Sequence, residues 1–200
     1  MAEALGYEDG NVTPPDEMLA AVRRIAAVVD VPVTADLEAG YGLEPQELVH
    51  GLLGAGAVGL NFEDSDHARG GMVDAESQVD RLVAIKEAGR EAGVDVVLNA
   101  RVDVFLHDGD VDEAVRRGRL YADAGADCVY PIGVRGRDAI GRLVEKVGVP
   151  LNVLAVPGGL SLADLAELGV ARVSFGSGLM RIAMDAAAEH ARAYRAKDRD

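Results

Sequence analysis

Three segments of this chain repeat one layout: Ala55-Gly56-Ala57-Val58-Gly59-Leu60, Ala124-Gly125-Ala126-Asp127-Cys128-Val129 and Leu168-Gly169-Val170-Ala171-Arg172-Val173. Each puts a glycine where a helical pattern stops and an apolar run begins. Glycine tolerates the left-handed conformation that ends a helix, so each segment reads as a helix turning at once into a strand. Repeated junctions this short imply parallel strands with helices as their crossovers.

The predicted strands are Val31–Leu37, Gly59–Glu63, Asp95–Arg101, Asp127–Ile132, Leu151–Val156 and Arg172–Gly176. They are rich in Val and Leu and bounded by Gly, Pro and Asp, as buried parallel strands are. Helical patterns fill the gaps. Thr13 is a predicted N-cap with Pro14 at the first helical position, opening a helix to about Val29. Further helices start at Glu44-Pro45, after Asp74, after Asp110 and at Ser161, and a last one runs from about Leu179 to Arg195. Such an order gives either a barrel or an open doubly wound sheet. A complete barrel has eight strands, and no linker or composition break divides the chain. The expectation is one α/β domain over residues 1–200, a (β/α)8 TIM-type barrel lacking its first two strands and keeping six β/α units.

Composition narrows the function classes. The net charge of −14 opposes general binding to nucleic acid or anionic membranes, whose phosphates repel an acidic surface. The single cysteine, Cys128, cannot form an intrachain disulfide and reads as a buried structural thiol. No apolar run approaches the roughly 20 residues of a membrane helix, and Met1 precedes Ala-Glu-Ala rather than a basic and apolar leader. The expected location is the cytoplasm.

The chemistry-bearing residues fall where strands end, and sites in parallel α/β folds form at the carboxyl ends of strands. Side chains alternate along a strand, so Thr34, Asp36 and Glu38 share one face, and Asn99, Arg101 and Asp103 share another. Glu63 ends the strand between them. Carboxylates converging without a cation repel one another. An oxygen-only set suits a hard divalent ion, Mg²⁺ first and Mn²⁺ second. Arg101 suits a substrate carboxylate or phosphonate. Each residue also has an ordinary reading: acids after strands cap helices or face solvent, and Arg101 pairs with a neighbouring carboxylate. Tyr41 and Gly42, in the Gly40-Tyr41-Gly42 turn, are expected to wall the pocket. His67 and Arg69 read as solvated loop residues, and His107 as a residue that approaches the pocket only in a minority reading.

With these motifs in place, the chain resembles the isocitrate lyase / phosphoenolpyruvate mutase superfamily, especially its phosphonomutase-like members. The resemblance rests on Leu5–Asn11, Asp36-Leu37-Glu38-Ala39-Gly40-Tyr41-Gly42, Asn61-Phe62-Glu63-Asp64-Ser65, Asn99-Ala100-Arg101-Val102-Asp103, Asn152–Gly158 and Arg172–Gly176, six motifs in the family's order. It implies Asp36 as the principal Mg²⁺ ligand, with Glu38, Glu63 and Asp9 holding metal waters and Asp9 also close to substrate. It implies Arg101 on the substrate's anionic group, with Asn99 beside it. The implied reaction forms or cleaves a C–C or P–C bond next to a 2-oxo or 2-hydroxy acid, through an enolate-like intermediate. The implied assembly is a homo-oligomer, dimer or tetramer. The family's true lyases carry a Lys-Lys-Cys-Gly-His loop after the fourth strand. Here that loop is Ser65–Met72 without cysteine, so isocitrate or methylisocitrate cleavage is not expected. The readings carried forward are a C–C lyase on a small carboxylate, a phosphonate mutase or hydrolase, and an inactive shortened barrel with an interaction role.

Overall fold

The computed structural model describes residues 2–197, with side chains described up to residue 194. Strands and helices alternate: α1 (Ala2–Leu5), α2 (Pro15–Ala26), β1 (Val33–Asp36), α3 (Pro45–Gly54), β2 (Ala57–Glu63), α4 (Ala75–Glu91), β3 (Val97–Val102), a 3-10 turn (Val104–Leu106), α5 (Val111–Asp123), β4 (Cys128–Pro131), α6 (Arg137–Val147), β5 (Asn152–Leu154), α7 (Leu162–Glu167), β6 (Arg172–Ser174) and α8 (Gly178–Lys197). None of the described helices is long and apolar enough to cross a membrane.

All strand pairs are parallel. β1 to β4 form one sheet in sequence order, and β5 pairs with β6. A parallel bridge from Val129 to Leu151 links the two sheets. This is the neighbour-to-neighbour order of a barrel wall. No pairing joins β6 back to β1 among the described residues, although Arg172 of β6 reaches Thr34 Oγ1 of β1 at 3.4 Å.

The three repeated junctions behave as their glycines require: Gly56, Gly125 and Gly169 take φ of 87°, 97° and 85° directly after α3, α5 and α7. Behind the strands, Leu37, Leu48, Leu52, Leu60, Leu82 and Leu98 are fully buried and continue into one core through Leu143 and Val153. Lys86 of α4 crosses this layer to tie three points at the base of β3 and β4, donating to Asp95 (2.8 Å), Val96 O (2.9 Å) and Asp127 (2.9 Å).

Two local expectations are corrected. Thr13 is not the N-cap: Pro14 has the extended ψ of 129°, so α2 begins at Pro15, and Thr13 is buried instead. The helix also stops at Ala26 rather than near Val29. α6 was not anticipated, although Ile140, Leu143 and Val147 share its buried face and Gly148 ends it at φ 88°.

Candidate active site

The ends of β1, β2 and β3 lie side by side in one register: Asp36 pairs with Asn61, Asn61 with Asn99, and Glu63 with Arg101. That register sets Asp36, Glu63 and Arg101 at the same end of neighbouring strands.

Arg101 is the best-defined member, with a side chain 14% exposed. Its ε N–H and one terminal nitrogen donate to the two oxygens of Asp103 at 2.7 and 2.9 Å. Its other terminal nitrogen contacts Glu63 Oε2, which has no hydrogen bond of its own although it is buried. A guanidinium carries five N–H donors, so both terminal nitrogens keep capacity for a bound anion. The carboxylates beside it hold its pKa above the ordinary arginine value, against the opposing effect of burial. Arg101 is therefore a permanent cation of fixed orientation.

Glu63 sits between two groups. Its Oε1 meets His67 Nε2 at 2.5 Å, and its backbone carbonyl accepts from Gln78 Nε2 at 3.0 Å. Burial pushes its carboxyl up to about 7; Arg101 opposes the rise, and Asp103 and Asp36 add to it. His67 stays exposed in its loop, as expected from sequence, but its ring also makes a contact that the sequence did not announce. It folds back onto Glu63, and a Cβ on Gly10 would lie 3.6 Å from its Nδ1. His107 lies exposed just past the 3-10 turn, consistent with the ordinary reading.

The loop after β1 is strained and cross-tied. Glu38 and Tyr41 adopt φ of 48° and 55°, and Asn11 on the facing loop adopts 67°. Such conformations cost about 1–3 kcal/mol each and persist where surrounding contacts enforce them. Here the contacts are explicit. Glu38 Oε2 accepts from the backbone N–H groups of Gly10 and Asn11, and Asn11 Oδ1 accepts from Tyr41 N at 2.7 Å. Tyr41 O–H donates to Glu38 Oε1 at 3.2 Å, and burial raises the phenol's pKa. Gly40 makes the turn at φ 89°, with Phe62 so close that a Cβ would lie 2.9 Å from its ring. Arg81 stacks on the same ring at 4.5 Å and donates to Ala39 O at 2.6 Å.

The three expected metal carboxylates are consequently not assembled as a group. Among the described residues, no three His, Cys, Asp or Glu side chains are placed to hold one metal ion. Glu38 is drawn to the Gly10–Asn11 amides and Glu63 to Arg101 and His67. Asp36 is exposed; its Oδ1 accepts from Glu38 N at 3.2 Å, and the rest of its carboxylate faces solvent. Asp9 and Gly42 are exposed on their loops. Asn99 is buried, donates to Asn61 Oδ1 at 2.7 Å, and keeps an unpartnered buried Oδ1. The donor chemistry still fits Mg²⁺, which is commonly bound through one or two carboxylates and several waters. Asp36 supplies an open carboxylate, and Asp36, Glu38, Glu63 and Asp103 outnumber the one arginine among them.

Sequence reasoning missed the support beneath the site. Asp103 is fully buried and also accepts from Ser65 O–H at 2.5 Å. Asp64, fully buried too, accepts from Asp103 N at 2.8 Å, Tyr121 O–H at 2.7 Å and Arg117 at 3.0 Å. Strand alternation signalled only that Asp103 shares a face with Arg101; the helix partners lie 53 and 57 residues from Asp64.

Comparison with known proteins bears on the family and the fold. The sequence model of the family described as phosphoenolpyruvate phosphomutase matches residues 1–195. An uncharacterised protein of Mycobacterium tuberculosis is 35% identical over 190 residues, covering 94% of this chain and 70% of that protein. The 2-methylisocitrate lyase of Escherichia coli is 29% identical over 178 residues, covering 84% of this chain and 56% of the lyase. Among solved structures, a candidate phosphonomutase from Burkholderia cenocepacia superposes with a TM-score of 0.89 at 38% identity, covering 96% of this chain and 81% of that one. A phosphonopyruvate hydrolase superposes with a TM-score of 0.85 at 31% identity, covering 98% and 72%. The strand order, the family match and these superpositions agree: the chain belongs to the phosphoenolpyruvate mutase / isocitrate lyase superfamily and has its α/β-barrel type of fold.

Proposed function

We propose that this protein is an Mg²⁺-dependent carbon–carbon lyase acting on a small 2-oxo or 2-hydroxy carboxylate. The observation that carries the reading is Arg101, a largely buried and permanently charged guanidinium held by Asp103 and Glu63 with donors to spare. A fixed guanidinium recognises a carboxylate through paired N–H bonds and cannot lose its charge at any working pH. Asp36, at the end of the strand two places away, would hold the metal through its open carboxylate, with Glu38 and Glu63 facing the metal's waters. When bound, the ion would supply polarisation of a carbonyl oxygen. Arg101 orients the substrate by its carboxylate. We assign Tyr41 and Asn99 to the wall of the same site; Asn99 Oδ1 is buried and has no hydrogen-bond partner. No cysteine stands in the Ser65–Met72 loop, which favours substrates other than isocitrate or methylisocitrate.

A second reading, phosphonate mutase or hydrolase, is favoured by the 31% identity to a phosphonopyruvate hydrolase. The same guanidinium binds a phosphonate equally well. The test is pyruvate release with Mg²⁺ from oxaloacetate, substituted malates and phosphonopyruvate. Release from the first two supports the lyase; release from phosphonopyruvate alone selects the second reading. Conversion of phosphonopyruvate to phosphoenolpyruvate without pyruvate selects the mutase, and no product from any of them favours the inactive barrel. Asp36→Ala is expected to abolish Mg²⁺-dependent turnover while the protein stays folded; full turnover would remove Asp36 from the metal site.

A further inference from the structure

We propose that Asp64, gripped by Arg117 and Tyr121 of α5, is a positioning residue for Arg101 and acts on it through Asp103; the inference rests on Arg101 being the carboxylate-binding group.

The constraint begins at the last rung of the sheet. The β2–β3 ladder ends with Glu63 opposite Arg101. Beyond that rung the backbone N–H of Asp103 has no strand partner, and a buried N–H without one is costly. Asp64 Oδ1 takes the place of the missing strand and accepts it at 2.8 Å. The side chains of Glu63 and Asp64 alternate, as adjacent residues at a strand end do. Glu63 turns to Arg101, while Asp64 turns toward α5.

The far oxygen of Asp64 is held from α5 by two groups one helical turn apart, Arg117 at 3.0 Å and Tyr121 O–H at 2.7 Å. Arg117 and Tyr121 are themselves hydrogen-bonded at 3.1 Å. Arg117 also donates to Val73 O at 2.9 Å, and Val73 N donates back to Asp64 O at 2.8 Å. The whole 64–73 loop is thereby pinned at both ends by one side chain. That loop includes Ser65, whose hydroxyl holds Asp103 Oδ2. Asp103 is therefore fixed twice from Asp64, through its own N–H and through the neighbouring Ser65. With both carboxylate oxygens on Arg101, it passes that constraint to the guanidinium.

Mere core filling does not account for the cluster. A buried ion pair is weak evidence of stability, because well-packed apolar side chains of similar volume often serve as well or better. What the ionic set adds is direction, since each bond admits one geometry. The set lies directly behind the one guanidinium that the proposed reaction needs fixed.

The experiment compares oxalate binding by calorimetry, with Mg²⁺ present, in the full chain and four variants. Tyr121→Phe removes one hydroxyl from the network. Asp64→Asn keeps its shape and removes its charge. Arg101→Gln tests the anion site itself, and Leu143→Ala, a core truncation in α6, supplies a destabilised variant in which every residue of the network is intact. Thermal midpoints are recorded for all. The expected result is that Arg101→Gln abolishes binding. Tyr121→Phe and Asp64→Asn should weaken it on the order of threefold to thirtyfold, the range for coupling through packed networks. Leu143→Ala should bind oxalate as the wild type does. If Tyr121→Phe binds like the wild type, or weakens no more than Leu143→Ala, the positioning role is overturned while the carboxylate site stands. If Asp64→Asn does not fold, Tyr121→Phe decides alone. If Arg101→Gln binds oxalate normally, or the wild type does not bind it, the carboxylate-site reading falls and takes the positioning role with it.

Discussion

Replacing Asp103 with asparagine tests whether Arg101 is really held in place. The residue is fully buried, and its two oxygens accept from Arg101 at 2.7 and 2.9 Å and from Ser65 at 2.5 Å. Asparagine keeps the shape and one acceptor oxygen. Its amide nitrogen must face either the guanidinium or the hydroxyl, so one charge-assisted bond is lost and the Arg101 charge is left to Glu63 alone. A hydrogen bond to a charged group contributes about 1.5–3 kcal/mol, and under-compensating a buried charge adds to that. The expected loss is about 2–4 kcal/mol. For a chain of this size each kcal/mol lowers Tm by about 2–4 °C, so Asp103→Asn should melt about 5–15 °C below the wild type. Circular dichroism melts and urea unfolding measure this directly. A Tm within about 1 °C of the wild type would mean the buried bidentate pair does not exist in solution.

Two other perturbations have defined outcomes. Gly40→Ala puts a Cβ 2.9 Å from the Phe62 ring at a φ of 89°; it should cost about 1–3 kcal/mol in a urea melt, and an unchanged midpoint would contradict the tight turn. Cys128 is buried, and burial pushes its thiol up to about 11, so at pH 8 about one molecule in a thousand carries the reactive thiolate. A disulfide reagent should therefore label it slowly in the folded protein and rapidly in urea; equal rates would show an accessible thiol.

The parts of this molecule legible in its sequence are those governed by neighbours along the chain. Gly56, Gly125 and Gly169 announce helix ends because φ near 90° excludes most other residues, and all six strands lie within the predicted segments or a few residues of them. α6 also has a local signature, with Ile140, Leu143 and Val147 on its buried face and Gly148 closing it. Thr13 misled because its type suits an N-cap while Pro14 beside it takes the extended backbone. The site was half legible. Strand alternation brought Asp36, Glu63 and Arg101 to one end of the sheet. It could not say where long side chains would turn, and Glu38 turned to the amides of Gly10 and Asn11, Glu63 to Arg101 and His67. The Asp64–Arg117–Tyr121 support joins residues more than 50 positions apart. No local pattern encodes such contacts.

We propose that the end of β3 presents a fixed cation to a carboxylate, with an open aspartate nearby to hold a divalent ion. A crystal structure with Mg²⁺ and oxalate would decide this claim. The claim predicts one oxalate carboxylate on the terminal nitrogens of Arg101, the guanidinium still paired with Asp103, and the ion on Asp36. Oxalate bound elsewhere, or an Arg101 that leaves Asp103 to reach it, would contradict the claim.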